Sequence, residues 1–193
     1  MSPRSEALNQ RMRDDSRALI LRTALKLFAR HGYERTSIAM IAKEAGIAQG
    51  LLYNYFAGKK ALLRAIFEMS MRDVEESFAL ADAGPSPTGR IEHLVRGAFA
   101  IVRRNQDFWR LSYSLRMQPA VVSGLGKRLG EWTARIRETL SRFLHEAGVP
   151  QPELEAALLF ALIDGVSQHY VLEPSRYPLD AVADRIIQRF TRA

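Results

Sequence analysis

Residues 36–56 read TSIAMIAKEAGIAQGLLYNYF. Apolar side chains recur at three- and four-residue steps on both sides of Ala45-Gly46-Ile47. That is the pattern of two short helices joined by a tight turn, with glycine where a left-handed backbone costs least. Thr36 or Ser37 can cap the first helix, whose apolar residues are Ile38, Ile41, Ala42 and Ala45. The second runs from about Ala48 to Tyr55. Ile38, Ile41, Ala42, Ile47, Leu52 and Phe56 are expected to clamp the pair together and onto the helix before it. Gln49, Gly50, Tyr53, Asn54 and Tyr55 are left on or near the outer side of the second helix. A helix presented this way enters the DNA major groove N-terminus first, and its Gln and Asn can pair with base edges. Tyr hydroxyls, with Lys59 and Lys60 just beyond, suit phosphate oxygens, and Gly50 lets the backbone come close.

Upstream, Leu21, Ala24, Leu25, Leu27 and Phe28 continue the helical period, and His31-Gly32 supplies a stop. Asp14, Asp15 and Ser16 are expected to start this first helix, because short polar and acidic side chains favour a helix N-terminus. Residues 1–13 then form a flexible basic arm. Charge supports a polyanionic partner. Up to Glu68 the chain carries 12 Lys/Arg against six Asp/Glu, so most of the formal +7 lies in its first third. A basic surface kept for solubility is the plainer alternative.

Downstream, a long helix is expected from about Lys59 to Ala81, and Gly84-Pro85-Ser86-Pro87 marks the clearest linker. Further helices are expected at about 88–104, 107–117, 121–147, 152–172 and 178–191. The reading is all-α, about nine helices in total, with no strand alternation. It divides the chain into the arm, a helix-turn-helix DNA-binding domain over 14–63, and a helical ligand-binding and dimerisation domain over 64–193.

The stretch closely resembles the TetR family of bacterial transcriptional regulators. The matching residues are Thr36, Ser37, Ile38, Ile41, Ala42, Ala45, Gly46, Ile47, Gly50, Leu52, Tyr53, Tyr55, Phe56, Lys59 and Leu62, and Phe28 to Tyr33 looks like the family's first-helix end. Three positions depart from the pattern. Ala48 stands where a capping Ser or Thr is usual, Gly58 replaces another frequent cap, and Lys60 replaces a common acid.

The resemblance implies DNA contacts from Thr36, Ser37, Gln49, Gly50, Tyr53, Asn54, Tyr55, Lys59 and Lys60. It implies a homodimer through the last two helices, with Leu158, Leu162, Gly165, Val166, His169 and Ile186 at the seam, although the same pattern suits a helix facing its own core. A pocket among the middle helices is implied too. Phe99, Trp109, Tyr113, Met117 and Trp132 are its candidate lining for an apolar or aromatic small molecule, and Arg103, Arg110, Arg116 and Gln168 are candidates for a polar end, with a solvated face as the alternative.

Other classes fare worse. The four histidines lack metal-ligand spacing, and Val121 to Arg128 mimics a phosphate loop but lacks its first glycine and its Ser/Thr. No catalytic residue, metal or cofactor is expected. The first twenty residues contain no apolar signal core, and no apolar run approaches a membrane span. The expected protein is therefore a cytoplasmic repressor, bound as a homodimer to a near-palindromic double-stranded operator and released by a small molecule. A small-molecule-binding protein with vestigial DNA affinity and a regulator without a ligand remain the alternatives.

Overall fold

The computed structural model describes residues 3–82, 84, 86–116, 118 and 126–191, without the side chains of residues 3–6. Among them are nine helices: α1 Pro3–His31, α2 Ile38–Glu44, α3 Gln49–Tyr55, α4 Lys59–Asp82, α5 Pro87–Arg104, α6 Gln106–Leu115, α7 Gly126–Glu146, α8 Pro152–Leu172 and α9 Leu179–Thr191. The described residues contain no strand. The all-α expectation holds.

The expected flexible arm is corrected. Residues 3–13 are helical and continue directly into α1, which is 29 residues long. After Pro3 the chain offers no Gly or Pro before Gly32, and Pro itself is tolerated in a first helical turn. Asp14, Asp15 and Ser16 therefore lie inside the helix rather than at its start. Gln10 Nε2 donates to Asp14 Oδ1 at 3.1 Å, and Ser16 Oγ donates back to the Met12 carbonyl at 2.8 Å. Good helix formers upstream carry the helix through residues that would otherwise favour a cap.

The chain divides into two compact units, Met1–Met69 and Ser70–Ala193, so the boundary lies inside α4 rather than at residue 63. In the first unit Ile20, Ala24 and Phe28 of α1 are buried, as are Ile41 of α2, Leu52 of α3 and Leu62 and Ile66 of α4. The i, i+4, i+8 spacing on α1 is what one buried helical stripe requires.

In the second unit α5, α7, α8 and α9 share one core, built around Leu94, Val95, Phe99, Leu140, Phe143 and Leu159. Ser86 caps α5 by accepting the Gly89 N–H at 3.0 Å, with Pro87 in the first turn. The α4 residues of this unit are tied by charge. Asp73 accepts from Asn105 Nδ2 at 2.8 Å, Glu75 pairs with Arg135 at 3.2 Å, and Asp82 pairs with Arg142 at 3.0 Å. The Arg142 hydrogen bond holds the Asp82 carboxyl below its ordinary value. The helix expected at 121–147 is found over Gly126–Glu146, and its first residues, 121–125, lie outside the described ones.

The α2–α3 turn rests on Gly46, at φ 69°. A side chain there meets no neighbour within 4 Å, so the cost of substitution is backbone strain alone. Gly46→Ala is expected to lower stability by about 1–2 kcal/mol, read from urea unfolding with an unchanged m-value.

Candidate nucleic-acid interface and helical surfaces

The geometry of α3 is set from both ends. Ser37 caps α2, its Oγ accepting the Met40 N–H at 3.1 Å. Gly46 N–H and Ile47 N–H then return to the carbonyls of Lys43 and Ala42 at 3.2 and 3.0 Å. Ala48 gives α3 no side-chain cap, as its methyl dictates. Leu52 and Phe56 anchor the helix in the core, and the Arg17 guanidinium lies 5.3 Å from the centre of the Phe56 ring.

Of the residues expected at DNA, Ser37, Gln49, Gly50, Tyr53, Asn54 and Lys60 are exposed and Tyr55 is half-buried. A Cβ added at Gly50 meets nothing within 4 Å. The fold therefore does not require glycine there.

Two of the residues expected at DNA have partners within the protein. The Thr36 side chain is only 1% exposed. Its hydroxyl is directed at the carbonyls of Gly32 and Leu27, at 2.8 and 3.3 Å, closing the turn after α1. Lys59 is also committed to this turn. Its Nζ donates to the carbonyls of Tyr33 at 2.9 Å and Glu34 at 3.1 Å, and lies 3.6 Å from the Glu34 carboxylate and 4.5 Å from the centre of the Tyr33 ring. An ammonium has three protons to give, and two of them are donated here.

The sequence reading also passed over two exposed apolar residues of the motif, Leu51 at 40% and Met40 at 37%. The signal that finds them is angular: each stands about 100° from a buried residue of its own helix, Leu51 from Leu52 and Met40 from Ile41.

In the second unit, the candidate pocket residues separate. Phe99 is buried in the common core, whereas Trp109 and Tyr113 pack against its edge with ring centres 6.0 Å apart. Trp132 is half-buried and outside that cluster, and Met117 lies outside the described residues. The Tyr113 hydroxyl donates to the Asp164 carbonyl at 3.3 Å. Burial first, then the Asp164 charge, pushes its ionisation far above the ordinary phenol range, so it stays a donor.

The arginines considered for a ligand's polar end have protein partners instead. Arg116 grips the Asp164 carboxylate with two hydrogen bonds at 2.6 and 2.8 Å, Arg103 reaches Asp180 at 2.7 Å, and Arg110 reaches the Val171 carbonyl at 3.4 Å. Gln168 is exposed. Trp109 Nε1 is buried without a hydrogen-bond partner, and Ser167 is buried beside the Tyr113 hydroxyl.

Along α8, Leu154 (62% exposed), Leu158 (37%) and Leu172 (69%) are uncovered, and His169 is exposed with its ring stacked 6.1 Å from that of Tyr177. Leu162 and Gly165 are half-buried, while Val166 and Ile186 belong to the protomer's own core. Leu162, Val166 and Ile186 also line an open groove of about 700 Å³ between α8 and α9, with Val182, Arg185 and Arg189. No described helix is long and apolar enough to cross a membrane. Among the described residues no group of three or more His, Asp or Glu is placed to hold a metal ion.

The family described as "Bacterial regulatory proteins, tetR family" matches residues 20–66, and "Tetracyclin repressor-like, C-terminal domain" matches residues 89–193, more than half of the chain. The chain belongs to the TetR family and is a transcriptional regulator with a helix-turn-helix DNA-binding domain.

It is 28% identical over 168 residues to the HTH-type transcriptional regulator HbdR of Aromatoleum sp. (strain CIB), covering 84% of this chain and 72% of that one. It is 29% identical to the uncharacterized HTH-type transcriptional regulator YuxN of Bacillus subtilis (strain 168), covering 79% of this chain but spanning only 53% of that relative's length. A solved structure of the transcriptional regulator FadR from Bacillus subtilis in complex with stearoyl-CoA has the same fold, with a TM-score of 0.76, 18% identity, and coverage of 90% of this chain and 97% of that one.

Lys59 and Lys60 are expected to separate in solution. Lys59→Ala should lower the melting temperature, because two carbonyls and a carboxylate lose their partner. Lys60→Ala should leave melting unchanged and reduce the slope of log affinity against log salt by about one, the effect of one lost phosphate contact. The reverse assignment of effects would make Lys59 the phosphate ligand.

Proposed function

We propose that the protein is a repressor that binds a near-palindromic double-stranded operator as a homodimer and is released by a small apolar or aromatic molecule. The observation that carries the DNA reading is the outer side of α3, where Gln49, Gly50 and Asn54 are exposed together on the basic third of the chain. Amide side chains pair with base edges in the major groove, and a bare glycine lets the backbone approach.

The dimer reading is supported by α8. Leu154, Leu158 and Leu172 remain uncovered in the protomer, and Leu162 and Val166 of the same helix line the groove bordered by α9. A second copy packing there would bury both. Half-sites in successive major grooves lie roughly 34–36 Å apart, so a change in dimer geometry would cost one half-site its contacts.

Support for the effector is narrower. Trp109 and Tyr113 form an aromatic edge with an indole N–H that lacks a partner, and the structurally similar FadR was solved with stearoyl-CoA. The ligand would couple to DNA by favouring one dimer geometry over another. The proposed place of action is the cytoplasm, where the operator is.

Selection from a random duplex pool with the purified protein is expected to enrich one inverted repeat, bound more weakly as salt rises. Leu158→Glu should split the dimer, since a charge buried at the seam is costly, and should reduce operator affinity while leaving α3 unchanged. A pool without an enriched motif would overturn the DNA reading. A wild-type protein that is monomeric at micromolar concentration would overturn the dimer.

A further inference from the structure

We propose that Leu51 determines sequence specificity by contacting the C5-methyl group of one thymine in each half-site. The inference rests on the reading of α3 as the recognition helix. Leu51 is 40% exposed, whereas its neighbour Leu52 is 0% exposed. With about 100° between successive residues, Gly50, Leu51 and Asn54 take the side of α3 turned away from Leu52 and Phe56. Gly50 has no side chain, and the space beside it is open to at least 4 Å, so nothing on that flank screens the leucine.

A single exposed leucine is ordinary on a protein surface. Its place here is what matters. It flanks Gly50 and Asn54 on the face that the fold holds outward, next to groups that pair with DNA. The major groove offers one apolar feature to such a side chain, the thymine methyl, and apolar contact with it discriminates among base pairs. Leucine has no hydrogen-bonding group, so it satisfies none of the donors or acceptors of the other bases. Opposite cytosine it would displace water from an amino group and give nothing back.

Met40 on α2 has nearly the same exposure, 37%. The first helix of this motif crosses the backbone rather than entering the groove, which makes Met40 the internal control.

The probe is the operator duplex selected by the wild-type protein, with each thymine replaced in turn by deoxyuridine. This removes one methyl and no hydrogen-bonding group. Wild-type affinity should fall about threefold or more at one thymine position per half-site, the effect of one buried methyl. Leu51→Ala should bind the thymine and deoxyuridine duplexes equally, with an unchanged melting temperature. Leu51→Gln, which keeps the length but not the apolar tip, should behave in the same way. Met40→Ala should keep the wild-type penalty. Wild-type indifference to deoxyuridine at every thymine would overturn the role of Leu51 while operator binding stands, as would a penalty that persists in Leu51→Ala or disappears in Met40→Ala. Failure to select any operator would overturn this proposal together with the reading of α3.

Discussion

One cation, the Lys59 ammonium, holds the geometry on which DNA reading depends. It gathers the carbonyls of Tyr33 and Glu34, so the residue that opens α4 is fastened to the turn that closes α1. Thr36 tightens the same turn from inside through its hydroxyl. Everything between these two residues, α2 and α3 included, is a loop of chain with both ends pinned. Leu52 and Phe56 then fix its rotation by burial. A cation is a strong partner for carbonyls left outside regular structure. The lock therefore gives partners to two carbonyls of the turn after α1 while it positions the motif.

The second unit uses charge differently. Its acids on α4, Asp73, Glu75 and Asp82, are paired with Asn105, between α5 and α6, and with two arginines of α7. Exposed pairs of this kind contribute little each to stability. Their value is register: they specify which turn of α4 lies against which neighbour. Within the same unit Arg116 and Tyr113 of α6 converge on Asp164 of α8. Beside them, Trp109 Nε1 stays buried and unpartnered. A buried polar group without a partner costs of order 1–3 kcal/mol, so the indole N–H counts against the stability of this contact.

Much of the fold was legible because punctuation and period agree. Gly32, Gly46 and Ser86-Pro87 mark helix ends, and three- and four-residue apolar steps mark the faces between them. What failed did so for identifiable reasons. Asp14, Asp15 and Ser16 signal a helix start only if the residues before them resist helix, and Glu6 to Arg13 do not. Lys59 suits a phosphate by its type and place, and no local pattern reveals its partners 25 and 26 residues away. Leu51 has no polar group to mark it as a contact. For Trp109 and Tyr113 the deciding partners are on another helix, 51 residues away in the case of Tyr113 and Asp164. No sequence period encodes that.

The account makes α3 a preset element: its position is fixed by Thr36 and Lys59, and DNA meets a face already formed. Amide hydrogen exchange of the full chain, with and without its selected operator, tests this most directly. The account predicts that α3 is already protected in the free protein, and that DNA slows exchange further from Ser37 to Lys60, with no comparable new protection within α6. Fast exchange of α3 until DNA is added would contradict a preset element, and DNA-induced protection that avoids α3 would contradict its role as the reading helix.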